Sequence, residues 1–408
     1  MNGILGIVSE YNPFHNGHKL HIEESKKITG CDFVISVMSG NFTERGDTAL
    51  IDKWARTKMA LEQGVDLIIE LPTLYATSSS ENFAEGAIKI LNSLGIVDYL
   101  SFGSEIGEIG PMDDVANVLS NEPKEFKEII QRELKSGLSY PKARELALGH
   151  YFGNSKKYKE VLENPNNILG IEYLKALKRL KSPINAITLK RKYSEYNSAD
   201  VKSGVASSTA IRQMIQNNQN VHYVVPYETY EILEEEKEKG HIIKSLNTFE
   251  KEIIYSLRRM TLQEIADLQD VTEGLENKIK AACNTFNSLN EIIEAVKSKR
   301  YTQTRIQRIM LYALLGITKK DMNMARKVTP YARILGFNKN GKDIISNIAY
   351  TNPKLKLIVS VKKFMENNND NQLHNMMSKD ILATNIYTLG FEKDPVANLD
   401  YTHKIIEL

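Results

Sequence analysis

Cysteine is nearly absent from the chain: two occur in 408 residues, Cys31 and Cys283, far apart and outside any CxxC spacing. That excludes a disulfide framework and a cysteine-based zinc site, and it fits a reducing compartment. Long apolar runs are missing too. Nothing approaches the roughly 18 apolar residues of a spanning helix, and the opening MNGILGIVSEYNPF has no basic segment ahead of an apolar one, as a signal peptide would. No internal repeat or low-complexity linker interrupts the chain. With 42% hydrophobic residues a fibrous or disordered chain is excluded as well. The expectation is a cytoplasmic protein that does not engage a membrane, with two to three domains at roughly 100 to 200 residues each.

Charge is present in nearly equal amounts, 53 Lys and Arg against 51 Asp and Glu, but it is unevenly placed. From Met1 to Gly110 there are eight basic residues against fifteen acidic ones, whereas Lys297 to Lys342 holds twelve basic residues and the single acid Asp321. An acidic N-terminal part and a basic C-terminal segment suggest a division of labour in which the latter faces a polyanion. A solvated basic face is the bland alternative.

The first hundred residues alternate β-rich runs with helical patterns. Strands are expected at Ile4 to Val8, Phe33 to Met38, Leu67 to Leu71 and Tyr99 to Phe102, with helices starting near Gly17, Lys53 and Glu81. This is the rhythm of a parallel, doubly wound, Rossmann-like α/β sheet. A helix-rich stretch, a fifth β-like run at Asn185 to Leu189 and a helix begun by Ser207-Ser208-Thr209 close the first domain, placed at residues 1–225. After Pro226 the apolar spacing turns helical, as in Phe249, Ile253 and Leu257, so residues 226–408 read as a mainly helical region. Ala332 to Phe337 and Leu355 to Val361 are expected to form a small C-terminal α/β element of its own.

Chemistry concentrates just after the first strand. Ligands of open parallel sheets bind beyond the carboxyl ends of strands, where helix N-termini offer unpaired N–H groups to phosphate. His15-Asn16-Gly17-His18 falls at that point. Gly17 removes a side chain where phosphate approaches, and two imidazoles one turn apart can donate to phosphoryl oxygens as charge builds. His15, His18 and His21 share a three-residue spacing, but no Cys or acid nearby in sequence completes a metal set, so no metal site is expected. Ser207, Ser208 and Thr209 with Arg212 one turn in make a second phosphate-binding device. Gly103 ends the fourth strand, where a flat ring could lie on bare backbone. In the basic segment Lys299, Arg300, Arg305 and Arg308 recur at positions that can share one side of a helix, with Tyr301 as a stacking group, a pattern suited to RNA.

HNGH with a later SSTAIR resembles the HxGH nucleotidyltransferase superfamily. More closely, EYNPFHNGH, MSGNFTERGD, KWARTKMAL, DLIIELP, FGSE, PNNILGIEYLKAL and KRYTQTRIQR, in this order, resemble the tRNA(Met) cytidine acetate ligase family. The resemblance implies that acetate attacks the α-phosphate of ATP, with Mg²⁺, to give acetyl-adenylate, which then acetylates the wobble cytidine of elongator tRNA(Met) to N4-acetylcytidine. It implies an ATP site made by Ile7, Val8, Ser9, Glu10, Tyr11, Asn12, Pro13, Phe14, His15, Asn16, Gly17, His18, Lys19 and Leu20. His15 and His18 would be the catalytic pair on the phosphates. Gly103, Asn166 or its neighbour Asn167, and Arg191 or its neighbour Lys192, would add nucleotide contacts. The sequence departs from the pattern at Ala206, where Ile is common, and at Asn197 beside Tyr196. Two other functions stay open: a small-molecule nucleotidyltransferase with an oligomerising C-terminal half, and a non-catalytic RNA-binding protein with a vestigial nucleotide fold. A small-molecule enzyme has no need of the basic segment.

Overall fold

A computed structural model describes residues 3–138, 140–153, 155–191, 204–272 and 274–408. Lys192, Tyr196 and Asn197 lie outside them. The strands are β1 (Ile4–Ser9), β2 (Phe33–Ser39), β3 (Leu67–Leu71), β4 (Tyr99–Ser104), β5 (Asn185–Lys190), β6 (Ala332–Phe337), β7 (Leu357–Ile358) and β8 (Ile406–Glu407). They form one sheet in the order β5-β4-β1-β2-β3-β6-β7, with β8 also on β6. The first five are mutually parallel. Their composition follows from being covered on both faces: every residue of β3, LIIEL, is buried, so no polar alternation is left.

The helices between these strands start where the sequence places them. Asp52 caps Lys53–Glu62 by accepting from Ala55 N–H, and Ser207 caps Ser208–Gln216 by accepting from Ala210 N–H. Beyond residue 226 helices dominate. Glu250–Arg259, Leu275–Thr285, Leu289–Val296 and Gln303–Leu315 bury Ile253, Leu257, Ile279, Ile293 and Ile309 in a cluster continuous with the sheet core.

The C-terminal strands correct one expectation. They do not make an element of their own: β6 lies antiparallel on β3, with Leu67 opposite Phe337 and Ile69 opposite Ile334. The exposed edge of an apolar strand needs covering, and the chain returns some 260 residues later to do it. The run Leu355 to Val361 contributes strand only at Leu357–Ile358, because Ser360 accepts from Lys363 N–H and caps the next helix. Charge fixes the seam. Lys53 Nζ lies 2.7 Å from both Glu70 and Asp400, and Arg333 bridges the same two carboxylates. All four side chains are at most 5% exposed, so each charge depends on the others for the solvation it has lost.

Candidate active site

The chain runs β1, β2, β3 outward in one direction and then places β4 on the other side of β1. The crevice beyond the ends of β1 and β4 is therefore the switch point at which parallel sheets bind ligands. Ile7 to Leu20 leads into it, and the structure divides that window. Ile7, Tyr11 and Phe14 are core residues, Pro13 is buried, Val8 is half-buried, and Lys19 and Leu20 are exposed. Ser9 Oγ lies 2.9 Å from Ser36 Oγ, and Asn12 Oδ1 accepts from Leu50 N–H. Tyr11 and Phe14 support the His18 ring from below, with centroids 5.0 and 5.4 Å away.

His15 is the N-cap of the helix Asn16–Thr29 and makes a reciprocal box with His18. His15 Nδ1 accepts from His18 N–H and His18 Nδ1 accepts from His15 N–H, each at 3.3 Å. The rings stack 3.6 Å apart at 19°. A ring nitrogen that accepts a backbone N–H carries no proton, so each neutral imidazole keeps its proton on Nε2. Burial keeps the rings neutral. It depresses His15 to about 3, helped by Arg191 and Arg212, and holds His18 well below its ordinary value, helped by His15, Arg191 and His21. The pair thus offers two fixed, uncharged Nε2–H donors at a helix N-terminus. His21, likewise depressed to about 4 by burial and Arg191, sits with Nε2 2.9 Å from Ser101 Oγ on β4. Among the described residues no three His, Cys, Asp or Glu are grouped to hold a metal ion.

Gly17 serves a different purpose from the one expected. A Cβ there would lie 2.9 Å from His15 Cε1 and 3.4 Å from Val205 Cγ1, so the space is the seat of the His15 ring. Gly103 is similar: a Cβ would lie 3.2 Å from Arg191 Cγ, so the bare backbone faces that arginine side chain rather than open room for a flat ring. Arg191 is exposed at the end of β5, its N–H bonded to Ser104 O. Asn167 is fully buried; its Oδ1 accepts from Glu105 and Ile106 N–H and its amide donates to Glu160 O. Asn166, half-buried, donates to Glu105 Oε1 at 2.6 Å. Both asparagines shape the turn after β4, and Asn167 has its polar groups committed there.

The turn Ser207 to Arg212 packs onto the turn that carries His15 and His18. Asn16 Nδ2 donates to Gly204 O and Tyr223 O, and Arg212 donates to Asn12 O and to Thr209 Oγ1. Ser207 spends its hydroxyl on capping, and Ser208 opens the helix beside it.

The basic segment departs from the expectation of one shared helix side. Lys299, Arg300 and Tyr301 precede the helix Gln303–Leu315, and only Arg305 and Arg308 lie on it. Tyr301 is 9% exposed, donates to Thr272 O and has the Arg305 guanidinium 5.0 Å from its ring, so it is no open stacking platform. Arg305 also donates to Asp270 O and Thr272 Oγ1. Arg308 is 8% exposed and pairs with Asp270. Its backbone closes on the loop that follows β2, where a Cβ on Gly46 would lie 2.6 Å from Arg308 N.

Sequence reasoning missed Glu44 and Arg56 as groups that hold that loop, and placed Glu10 only in the expected ATP site. Glu10 Oε1 accepts from Glu44 N–H at 2.9 Å. Burial raises the Glu44 carboxyl to about 6 against the pull of Arg308. Arg56, fully buried, donates to Glu10 O, Ser39 O, Gly40 O and Ile51 O, tying the ends of β1 and β2 together. KWAR carries no periodic signal for this role, since its partners are backbone carbonyls up to 46 residues away.

A parallel sheet whose switch point carries a histidine-capped helix and a second, arginine-bearing helix N-terminus defines a nucleotide-binding protein of the nucleotidyltransferase class. The comparisons agree. Residues 1–400 match the model of the HIGH nucleotidyl transferase family. A tRNA(Met) cytidine acetate ligase of Acetivibrio thermocellus is 43% identical over 99% of both chains, and one of Thermoanaerobacter sp. is 44% identical over 100% of both. The crystal structure of Thermotoga maritima TmcAL bound with alpha-thio ATP is 33% identical and superposes with a TM-score of 0.92 over 100% of this chain and 99% of that one. The chain belongs to the tRNA(Met) cytidine acetate ligase family of the HIGH nucleotidyltransferases.

The seat of His15 gives a test. Gly17→Ala should push the ring aside and weaken ATP binding, measured by calorimetry, by about 10-fold or more, the loss of one charge-assisted hydrogen bond. Unchanged affinity in a folded variant would contradict the role given to Gly17.

Proposed function

We propose that the chain activates acetate with ATP and transfers the acetyl group to the wobble cytidine of elongator tRNA(Met). In the first step an acetate oxygen attacks the α-phosphorus, the bond to the bridging oxygen breaks and diphosphate leaves. In the second, cytidine N4 attacks the acetyl carbonyl, AMP departs and the amine gives up a proton, leaving N4-acetylcytidine. The observation that carries the reading is the reciprocal His15–His18 cap at the end of β1. Its two Nε2–H groups would donate to phosphoryl oxygens, and the helix N-terminus would add its dipole. Of the window Ile7 to Leu20, the core residues Ile7, Tyr11 and Phe14 act by shaping this turn.

Arg191 stands close enough to depress both His15 and His18, and Arg212 to depress His15, so both would supply positive potential where a triphosphate would lie. Asn166 and Gly103 border the same crevice through Glu105 and Arg191. Mg²⁺ would enter with the nucleotide, since this ion is commonly held by phosphates, waters and one or two carboxylates rather than a protein cage. The tRNA would meet the basic segment, with Lys299 and Arg300 as the phosphate contacts and Arg305 and Arg308 bracing the segment against Asp270. A cytoplasmic location follows from these substrates, and among the described residues no helix is long and apolar enough to cross a membrane.

Elongator tRNA(Met) transcript incubated with protein, ATP, Mg²⁺ and acetate should yield N4-acetylcytidine by nucleoside mass spectrometry. His18→Ala should slow its formation by about 100- to 1,000-fold. A His18→Ala variant with parental turnover, or AMP transfer to a small molecule in place of the modified nucleoside, would overturn the reading.

Charge reversal separates the RNA enzyme from a small-molecule one. Lys299→Glu with Arg300→Glu should weaken tRNA binding and lower the log–log salt slope by roughly one unit per lost phosphate contact. ATP–diphosphate exchange should persist. An unchanged affinity and slope would remove the basic segment from the tRNA path.

A further inference from the structure

A cavity of about 320 Å³ lies where the loop that follows β2 meets the helical region. Its walls come from the loop residue Asp47, the turn Leu246–Phe249, and the helices Leu289–Val296 and Gln303–Leu315. Four carboxamides line it, those of Asn247, Asn290, Gln303 and Gln307. None of the four side chains makes a hydrogen bond to another described residue. Leu246, Leu289 and Ile293, all buried, give the cavity an apolar side.

The charges are spoken for. Asp47 Oδ1 accepts from Leu246 and Thr48 N–H, and Glu294 pairs with Lys297. No Lys or Arg lines the cavity, so nothing there would draw a phosphate. A carboxamide carries a donor and an acceptor side by side, the complement of the edge of a nucleobase, and an apolar wall suits the face of the ring. Sequence-specific proteins read RNA in this manner, from unpaired loop bases turned out of the stack.

Resting on the function proposed above, we infer that this cavity binds an unpaired nucleobase of the tRNA next to the target cytidine and reads its edge through Asn247, Asn290, Gln303 and Gln307. The placement supports a neighbour rather than the target itself. Glu44, bonded to Glu10 at the end of β1, and Asp47, in the cavity wall, belong to one short loop. The target amine must reach the acetyl group at β1, so the cavity is left for a flanking base. The same helix that lines it with Gln303 and Gln307 follows directly on Lys299 and Arg300, which would hold the adjoining backbone.

The test uses full-length protein and tRNA(Met) transcripts, each with one anticodon-loop base beside the target replaced. The parent enzyme should discriminate against replacement at one position by roughly 10- to 100-fold in kcat/KM. Asn290→Leu and Gln307→Leu should abolish discrimination at that position alone while keeping ATP–diphosphate exchange, which a misfolded protein would lose. Gln307→Glu, nearly isosteric, turns a donor into an acceptor and should reverse the base preference there even if the leucine variants fold poorly. Variants that discriminate as the parent does, or a parent indifferent to every flanking base, would overturn the inference. A parent that acetylates no transcript would instead overturn the function on which it rests.

Discussion

The chemistry proposed for this protein depends on one local interaction, the reciprocal bond between the backbone N–H groups of His15 and His18 and the Nδ1 atoms of the opposite rings. A helix N-terminus leaves its first N–H groups without intrahelical partners, and Ser, Thr, Asp or Asn most often supplies the cap. Here two imidazoles do so, which fixes their orientation and tautomer at once. A serine cap would satisfy the helix equally well but would leave no donor for a ligand. Burial completes the device, because a charged pair 3.6 Å apart would repel and be poorly solvated. Gly17 is the local cost of seating the His15 ring, and Tyr11 and Phe14 are the floor of the His18 ring.

A second constraint binds the two halves of the chain. The edge of β3 is closed by β6, and the buried quartet of Lys53, Glu70, Arg333 and Asp400 locks that edge with residues from both ends of the sequence. The helical region is then held against the loop that follows β2, where Arg308 meets Gly46 and Tyr387 donates to Ala49 O. An acidic, nucleotide-binding sheet and a basic helical segment therefore share one core. The basic helical segment is thereby packed against the loop that follows β2.

Much of this was legible in the sequence because its signals are local. The five parallel strands are short apolar runs, and the helices Asn16–Thr29 and Lys53–Glu62 carry side-chain caps, His15 and Asp52, immediately before their first turns. HNGH and SSTAIR could be placed at helix starts by the same reasoning. What escaped was long-range. The pairing of β6 with β3 joins positions some 260 residues apart, and an apolar run such as ARILGF reads the same in a small separate element as on the edge of the main sheet. Arg308 looked like an RNA contact because nothing in its neighbourhood announces Asp270 as its partner. Gly17 and Gly103 stand out in the sequence for lacking a side chain, and the nearest neighbours of that space, His15 and Arg191, come from the protein itself. Arg56 and the Glu10–Glu44 contact left no pattern at all, since their partners are backbone groups brought together by the fold.

Nitrogen-15 NMR of the histidine rings tells whether His15 and His18 face the nucleotide as neutral Nε2–H donors, because charged and neutral rings, and the two neutral tautomers, have distinct shifts. At pH 7 both rings should be neutral with the proton on Nε2. His15, with its pKa near 3, should show no titration between pH 8 and pH 5, where an unperturbed histidine would titrate near 6.5. An imidazolium at pH 7, a midpoint near 6.5, or a proton on Nδ1 of either ring would contradict it.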